Sequence, residues 1–195
     1  MDINTVAIGV TPQEVVQKYR PLKKIKIELF FDMVYYPFYT LKVAGSLNGF
    51  LVKDKPINGN FVVDGCYYVC KKLINYPDLI VGYTDEEVSG VGDCFVVKKL
   101  VSQEKAEKLA HDMAMKMWEK KHNHPFRPRI TPLVLGVECE TVYKPYYIIH
   151  NGINFEKEMT MIVDAVTGVP GLPESNNVFK QWANMKQAEQ TQSKE

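Results

Sequence analysis

Two aromatic stretches that match each other decide the predicted fold. Aligning Pro37 with Pro145 sets Val34-Tyr35-Tyr36-Pro37-Phe38-Tyr39 against Val142-Tyr143-Lys144-Pro145-Tyr146-Tyr147. The alignment also pairs Asp32 with Glu140, and each copy continues to an aliphatic run that ends in aspartate and glycine, Val62-Val63-Asp64-Gly65 and Ile162-Val163-Asp164-Ala165-Val166-Thr167-Gly168. A helical pattern precedes each copy, so the sequence predicts an internal duplication. The alternative is that two aromatic strands match through shared strand composition alone.

The predicted fold class is α+β, with antiparallel sheets that are each covered by a helix. The predicted boundaries are residues 1–100 for the first α+β half and 101–186 for the second. Residues 187–195 are polar and are predicted to be a disordered tail.

Alternation of apolar and charged residues predicts the strands. It runs from Lys24 to Met33, and a second strand is expected from Phe38 to Val43 with Pro37 at its start or on an edge. Residues 44–48 are predicted as a turn, and residues 58–59 as part of a loop between two short strands. Asp64-Gly65 predicts a two-residue hairpin turn.

Two helices carry start signals. Thr11 is predicted to cap a short helix in which Glu14 closes a capping box, and this helix must end by Pro21. Ser102 is predicted to cap a long helix from Gln103 to about Lys121, with apolar residues along one face.

The composition is that of an ordinary globular protein. The 195 residues carry 24 Lys+Arg against 23 Asp+Glu, and the net charge of +1 provides no global attraction to nucleic acid or anionic lipid. No apolar run approaches the ~20 residues that span a bilayer, and the first residues lack the cationic start of a signal peptide. We therefore predict a cytoplasmic protein without a membrane partner.

No cofactor or metal is predicted. The sequence contains neither of the common glycine-rich phosphate-binding motifs. Cys66 and Cys70 with His122 and His124 are zinc-ligand types, but the cysteine spacing on a strand would hold the two thiols too far apart. All four cysteines are expected to be reduced and mostly buried.

The segment Met159-Thr-Met-Ile-Val-Asp-Ala-Val-Thr-Gly168 resembles the last hairpin of PepSY-type domains, in which a strand enters an Asp-Ala-x-Thr-Gly turn. The resemblance implies a regulatory or binding module and assigns no catalytic residue. The turn also has a structural explanation, in which Asp164 and Thr167 cap it and Gly168 takes positive φ.

The leading functional hypothesis is a non-enzymatic module with tyrosine-lined sheet surfaces that hold a protein, peptide or small ligand. Tyrosine suits both such surfaces and half-buried sheet faces, so packing is the alternative explanation. The candidate ligand-binding residues are Tyr35, Tyr39, Tyr143, Tyr147, Asp32, Glu140 and His150.

Two other functions remain open. Asp32 or Glu140 with His150 provides the acid and imidazole of a small-molecule enzyme, if a pocket between helix and sheet encloses them. The basic segment 116–129, with the candidates Lys120, Lys121, Arg127 and Arg129, provides a patch for nucleic acid. Cations also stabilise a helix C-terminus, and no known nucleic-acid motif accompanies this patch, so nucleic-acid binding is disfavoured.

Overall fold

The structure is a computed structural model that describes residues 3–18, 29–49, 52–76, 79, 83–84, 94–123, 130–151, 160–171 and 175–192. The chain divides into two compact units. The first unit comprises Met1–Tyr36, Val81–Val97 and Tyr143–Glu195, and the second comprises Pro37–Ile80 and Lys98–Val142. The first unit combines segments from both ends of the chain, and the second combines two internal segments.

The described elements are three α-helices, one 3-10 turn and eight strands. The helices are α1 (Pro12–Lys18), α2 (Gln103–His122) and α3 (Ser175–Gln192), with a 3-10 turn at Leu73–Asn75. The strands are β1 (Thr5–Val6), β2 (Phe30–Gly49), β3 (Val52–Asp64), β4 (Cys70–Lys72), β5 (Tyr83–Thr84), β6 (Cys94–Val96), β7 (Ile130–His150) and β8 (Met161–Asp164). The α+β class is therefore confirmed.

The strands form a mixed sheet rather than purely antiparallel ones. Antiparallel pairs join β2 to β3, β3 to β4, β7 to β8 and β1 to β5. Parallel pairs join β1 to β7 and β2 to β6. The parallel partners β1 and β6 are only two and three residues long, too short to show a periodic pattern in the sequence.

In the second unit, β2 and β3 form one long hairpin. They pair continuously from Phe38 with Asp64 to Leu47 with Lys55, so the predicted turn at 44–48 and the predicted loop at 58–59 are both strand. Burial of Val43 and Leu47 favours this extended pairing over the local turn preference of glycine and asparagine. A Cβ at Gly45 would lie 2.5 Å from the Trp118 ring, so glycine there admits the side chain that α2 packs against β2.

The core of the second unit lies between this hairpin and α2. Tyr39, Leu41, Phe61 and Val63 contact a row of small residues on the helix, Ala106, Ala110 and Ala114, with Trp118 at its end. The predicted helix start is confirmed, because the Ser102 hydroxyl accepts a hydrogen bond from the Lys105 N–H.

In the first unit, α1 packs on the hairpin of β7 and β8. Val15 is buried with Tyr147, Ile149, Val163 and Ala165. The predicted capping box is also confirmed: the Glu14 carboxylate accepts the Thr11 N–H at 2.7 Å, and the Thr11 hydroxyl accepts the Glu14 N–H at 3.3 Å.

An aspartate caps the turn that follows the hairpin strand in each unit. Asp64 Oδ1 accepts the N–H groups of Cys66 and Tyr67, and the Asp64 N–H donates to Val69. The turn is therefore longer than the predicted two residues. Asp164 Oδ1 likewise accepts from Val166 and Thr167, its N–H donates to Val169, and Gly168 has the predicted positive φ of 68°.

The last helix, α3, differs from the predicted disordered tail. The chain is helical through Gln192, so residues 187–192 are ordered in a helix. Gln, Ala and Glu, which dominate this stretch, are good helix formers despite their polarity. No described helix is both long enough and apolar enough to cross a membrane.

Candidate functional site

The tyrosines predicted to line a binding surface lie inside the protein. Tyr35, Tyr39, Tyr143 and Tyr147 are each 7% exposed or less. Tyr35 and Tyr143 pack with Ile3 in the first unit, and Tyr147 packs under α1. These rings have no exposed face broad enough to hold a ligand, because the elements of their own unit already cover them.

Two of these tyrosines join a sheet to the start of a helix. The Tyr39 hydroxyl donates to the Val101 carbonyl at 2.7 Å, just before the α2 cap. The Tyr147 hydroxyl donates to the Val10 carbonyl at 3.0 Å, just before the α1 cap. Burial raises the pKa of Tyr147, with smaller contributions from Tyr35 and Glu14. Both phenols therefore act as neutral donors that fix a helix start.

Asp32 and His150 are brought together in the first unit, whereas Glu140 lies exposed in the second unit. His150 Nε2 lies 3.3 Å from Asp32 Oδ2, and their side chains are 6% and 12% exposed. The C-terminal helix α3 completes the cluster: Trp182 Nε1 donates to Asp32 at 2.7 Å, and Lys186 Nζ lies 3.3 Å from the same carboxylate.

The electrostatics of this cluster hold Asp32 ionised. Burial raises the pKa of the Asp32 carboxyl, but hydrogen bonds from His150 and Trp182 and the charge of Lys186 lower it by more, so the net shift is downward. Burial lowers the pKa of Lys186, and the Asp32 and Glu189 carboxylates outweigh this and raise it. The cluster is thus a buried ion pair that fastens α3.

The Asp32 and His150 pair has the composition of a general base, and aromatic rings of the first unit pack against the imidazole. His150 lies between two rings, with centroids 5.7 Å from Phe30 and 5.2 Å from Trp182. Three donors already surround Asp32 Oδ2. The arrangement therefore joins α3 to Asp32 through Trp182 and Lys186.

A second buried ion pair, which the sequence analysis did not single out, also lies in the first unit. Lys144 Nζ lies 2.7 Å from Asp164 Oδ2, and the lysine side chain is 6% exposed. The same ammonium lies 5.6 Å from the centre of the Tyr146 ring. Asp164 therefore caps its turn with one oxygen and holds a buried cation with the other.

A concave feature lies among the described residues of the second unit. It is a cleft of about 460 Å³ between β3, the 3-10 turn and the C-terminal end of α2. Its apolar wall includes Trp118, Met117 and Ile74, and Ile74 is 76% exposed. The complete lining is Asn58, Gly59, Asn60, Phe61, Lys72, Leu73, Ile74, Met117, Trp118 and Lys121.

The charge at this cleft is positive. None of its described lining residues is acidic, whereas Lys72 and Lys121 are exposed at its rim. Partial burial lowers the pKa of His122, and the positive charges of Lys121 and Lys55 lower it further. Lys55 of β3 and the end of α2 therefore contribute to one electropositive region.

The predicted basic segment thus lies partly at the cleft. Lys121 lines it, and Lys120 is exposed on the same helix end. Arg127 and Arg129 lie outside the described residues. Sequence reasoning found this charge but missed the cleft, because its other wall is formed by residues 58–61, which the sequence predicts as a loop and the start of a short strand.

The cysteines and possible metal ligands do not converge in the described part of the chain. All four thiols are free, and no group of three metal-ligating side chains occurs among the described residues. Burial raises the pKa of the Cys70 thiol to about 11. Burial also raises the pKa of Cys139 to about 11, with an added contribution from Glu107. Both thiols are poor nucleophiles at neutral pH.

Comparison of the chain with models of protein families, with curated proteins and with solved structures found no match.

Proposed function

We propose that the protein is a non-enzymatic binding module that holds an acidic segment of a partner protein in the cleft of the second unit. The cleft itself carries the proposal, since it joins an apolar wall to a rim of lysines without an acidic lining residue. Such a site favours a ligand with carboxylates beside apolar side chains. Tyr39, in the core of the same unit, supports the framework of this site rather than contacting the ligand.

Peptide binding at Trp118 tests this function. A short peptide of alternating glutamate and valine is titrated into the protein, and amide and indole N–H shifts are followed by NMR. A peptide of alternating lysine and valine is the matched probe. The acidic peptide should perturb the Trp118 indole and residues 58–61, whereas the basic peptide should leave them unchanged. Shifts confined to other residues, or equal binding of both peptides, would refute the proposal.

Charge reversal provides the second arm of this test. Lys72→Glu combined with Lys121→Glu should weaken binding of the acidic peptide by about tenfold or more, equivalent to about 1.4 kcal/mol. Lys108→Glu is the matched control, because Lys108 is exposed on α2 and does not line the cleft. A single-stranded oligonucleotide is the competing probe. Tighter binding of the oligonucleotide with a steep salt dependence would favour a nucleic-acid function instead.

We further infer that the two units arose by duplication and that the repeats exchanged helices. Four sets of equivalent hydrogen bonds support this inference. The carbonyls of Pro37 and Pro145 accept the N–H groups of Gly65 and Ala165, at 2.9 and 3.1 Å. The other sets are the aspartate caps, the tyrosine hydroxyl bonds, and the donation of Leu100 and Val101 to Gly65 and of Gly9 and Val10 to Ala165.

The inferred exchange rests on which helix packs against each hairpin. In chain order α1 precedes β2, yet it packs in the first unit on β7 and β8. Likewise α2 precedes β7, yet it packs in the second unit on β2 and β3. The capped turn of β8 also carries the resemblance to PepSY-type domains, and a relationship to those modules fits a binding function.

Fragments divided after Gly90 test the exchange. The first fragment contains α1 and the hairpin of β2 and β3, and the second contains α2 and the hairpin of β7 and β8. Because each hairpin packs on the helix of the other fragment, neither fragment alone should give a cooperative unfolding transition, and mixing the two should restore one. Circular dichroism and urea titration provide the measurement. A fragment that unfolds cooperatively by itself would contradict the exchanged arrangement, while leaving the binding proposal in place.

A further inference from the structure

β3 is longer than its outer neighbour β4, so part of the outer edge of β3 has no strand partner among the described residues. β2 pairs with β3 along one side from Gly49 with Val52 to Phe38 with Asp64. On the other side, β4 pairs only with Phe61, Val62 and Val63. After Lys72 the chain enters the 3-10 turn, so β4 extends no further along this edge. No described strand pairs with this edge at residues 53–60.

The direction of the backbone groups along this edge follows from two bonds. The Asp64 N–H donates to Val69, away from β2, and the Gly65 N–H donates to Pro37 of β2. Successive residues of a strand direct their backbone groups to opposite sides, so Asn60 and Asn58 direct theirs away from β2, as Asp64 does. Pro56 has the same parity, and its lack of an N–H costs no bond to β2.

We propose that the acidic partner segment binds as an added strand on this edge, hydrogen-bonded to the backbones of Asn58 and Asn60 in line with β4. The inference rests on the function proposed above and specifies how the ligand binds. Strand addition provides main-chain affinity, and neighbouring pockets select the side chains. Here the adjoining pocket is the cleft, because Asn58 and Asn60 themselves line it.

The charges along the edge favour an acidic strand. Lys53 and Lys55 are exposed on β3, with a single acid, Asp54, between them. Lys72 ends β4 at the point where the added strand would begin. Carboxylates at alternate positions of the ligand would lie on the same face of the sheet as the Lys55 and Lys72 ammonium groups, and the residues between them would lie on the opposite face. Pro56 ends the pairing, because it offers no donor to the added strand.

Amide hydrogen exchange in the full-length protein tests the binding mode. The probe is again the peptide of alternating glutamate and valine, at a concentration that saturates the Trp118 signal. Exchange of the Asn58 and Asn60 amides should slow at least about tenfold on saturation, because both N–H groups gain an acceptor. The amide of Gly59 already faces β2 and should change much less.

Methylated peptides provide the matched control. In one peptide the N-methyl groups replace the amide hydrogens that would face β3, and these groups abolish strand pairing. In the second peptide the N-methyl groups are shifted by one residue, so they face away from β3 and leave strand pairing intact. The two peptides should therefore differ in affinity by about a hundredfold or more. Asn58→Pro removes the outward N–H in the way that Pro56 already does, and should weaken binding relative to Asn58→Ala.

The outcomes separate the two proposals. If the acidic peptide perturbs Trp118 but leaves both amides unprotected, or if the two methylated peptides bind equally, strand addition is refuted and the binding function stands. If the acidic peptide does not bind at all, the binding function fails and the inference fails with it.

Discussion

Replacing Asp32 tests whether the buried cluster fastens the C-terminal helix. Asp32→Asn keeps the shape of the side chain and an oxygen that can accept the Trp182 N–H, but it removes the charge that attracts Lys186. A hydrogen bond to a charged group contributes about 1.5–3 kcal/mol, and loss of one partner of a buried pair costs toward the upper end of that range. We therefore expect the free energy of unfolding to fall by about 2–3 kcal/mol at pH 7.

The lowered pKa of Asp32 determines how its contribution to the free energy of unfolding changes with pH. The pKa of Asp32 in the folded protein is below its ordinary value of 3.8. Its stabilising contribution is therefore complete above the unfolded-state pKa and is lost as the pH falls through the folded-state pKa. The difference in stability between wild type and Asp32→Asn should shrink below about pH 4.

Urea unfolding followed by circular dichroism measures both effects. Glu140→Gln is the matched control, because Glu140 takes the aligned position in the second unit and is exposed. Its effect should stay within about 0.5 kcal/mol. The reasoning is refuted if Asp32→Asn changes the stability as little as Glu140→Gln does, or if the stability gap widens at acidic pH.

Three further predictions concern the framework of the two units. Tyr39→Phe and Tyr147→Phe should each cost about 1 kcal/mol in urea unfolding with the fold retained, because each leaves a helix-start carbonyl without its donor; no loss would contradict this role. Lys144→Met should cost about 3 kcal/mol, since Asp164 would stay buried with an unpaired charge; a gain in stability would show that the pair is expendable. Cys70, whose pKa burial raises to about 11, should react with iodoacetamide at pH 8 about a hundredfold more slowly than an ordinary thiol of pKa 9.0; equal rates would contradict its burial.

Sequence reasoning succeeded where a feature is local. The caps at Thr11 and Ser102, the α2 helix, and the aspartate turn with positive φ at Gly168 all depend on neighbours within a few residues. It failed for β2 and β3, where glycine and asparagine suggested turns and long-range pairing favours a strand. No local signal could show that Gly45 makes room for Trp118.

The candidate sites divide in the same way. The sequence analysis offered Asp32 or Glu140 as the partner of His150, and Asp32 is the one that lies beside it. The contacts of this pair with Trp182 and Lys186 come from a helix that the sequence analysis did not predict. The tyrosine clusters lie on β2 and β7, but the alternation of residues along a strand does not distinguish a covered sheet face from an open one. The cleft joins α2 to β3 across a long sequence separation, so no motif marks it.

The proposed duplication allows the strand pairing that follows the two aspartate turns to be compared. After the aspartate turn, Cys70 starts β4 opposite Val63, and Pro170 takes the equivalent position opposite Val163. The Gly171 N–H donates to the Ile162 carbonyl at 2.8 Å, so this pairing continues past Pro170, as the pairing of β4 continues past Cys70 to Lys72. The cleft is lined by the end of β4, the 3-10 turn, β3 and the last turns of α2. The sets of equivalent hydrogen bonds found in each unit do not include these lining residues. Under the proposed duplication and function, the copy in the second unit carries the binding edge, while the copy in the first unit holds α3 through the Asp32 and Lys186 ion pair.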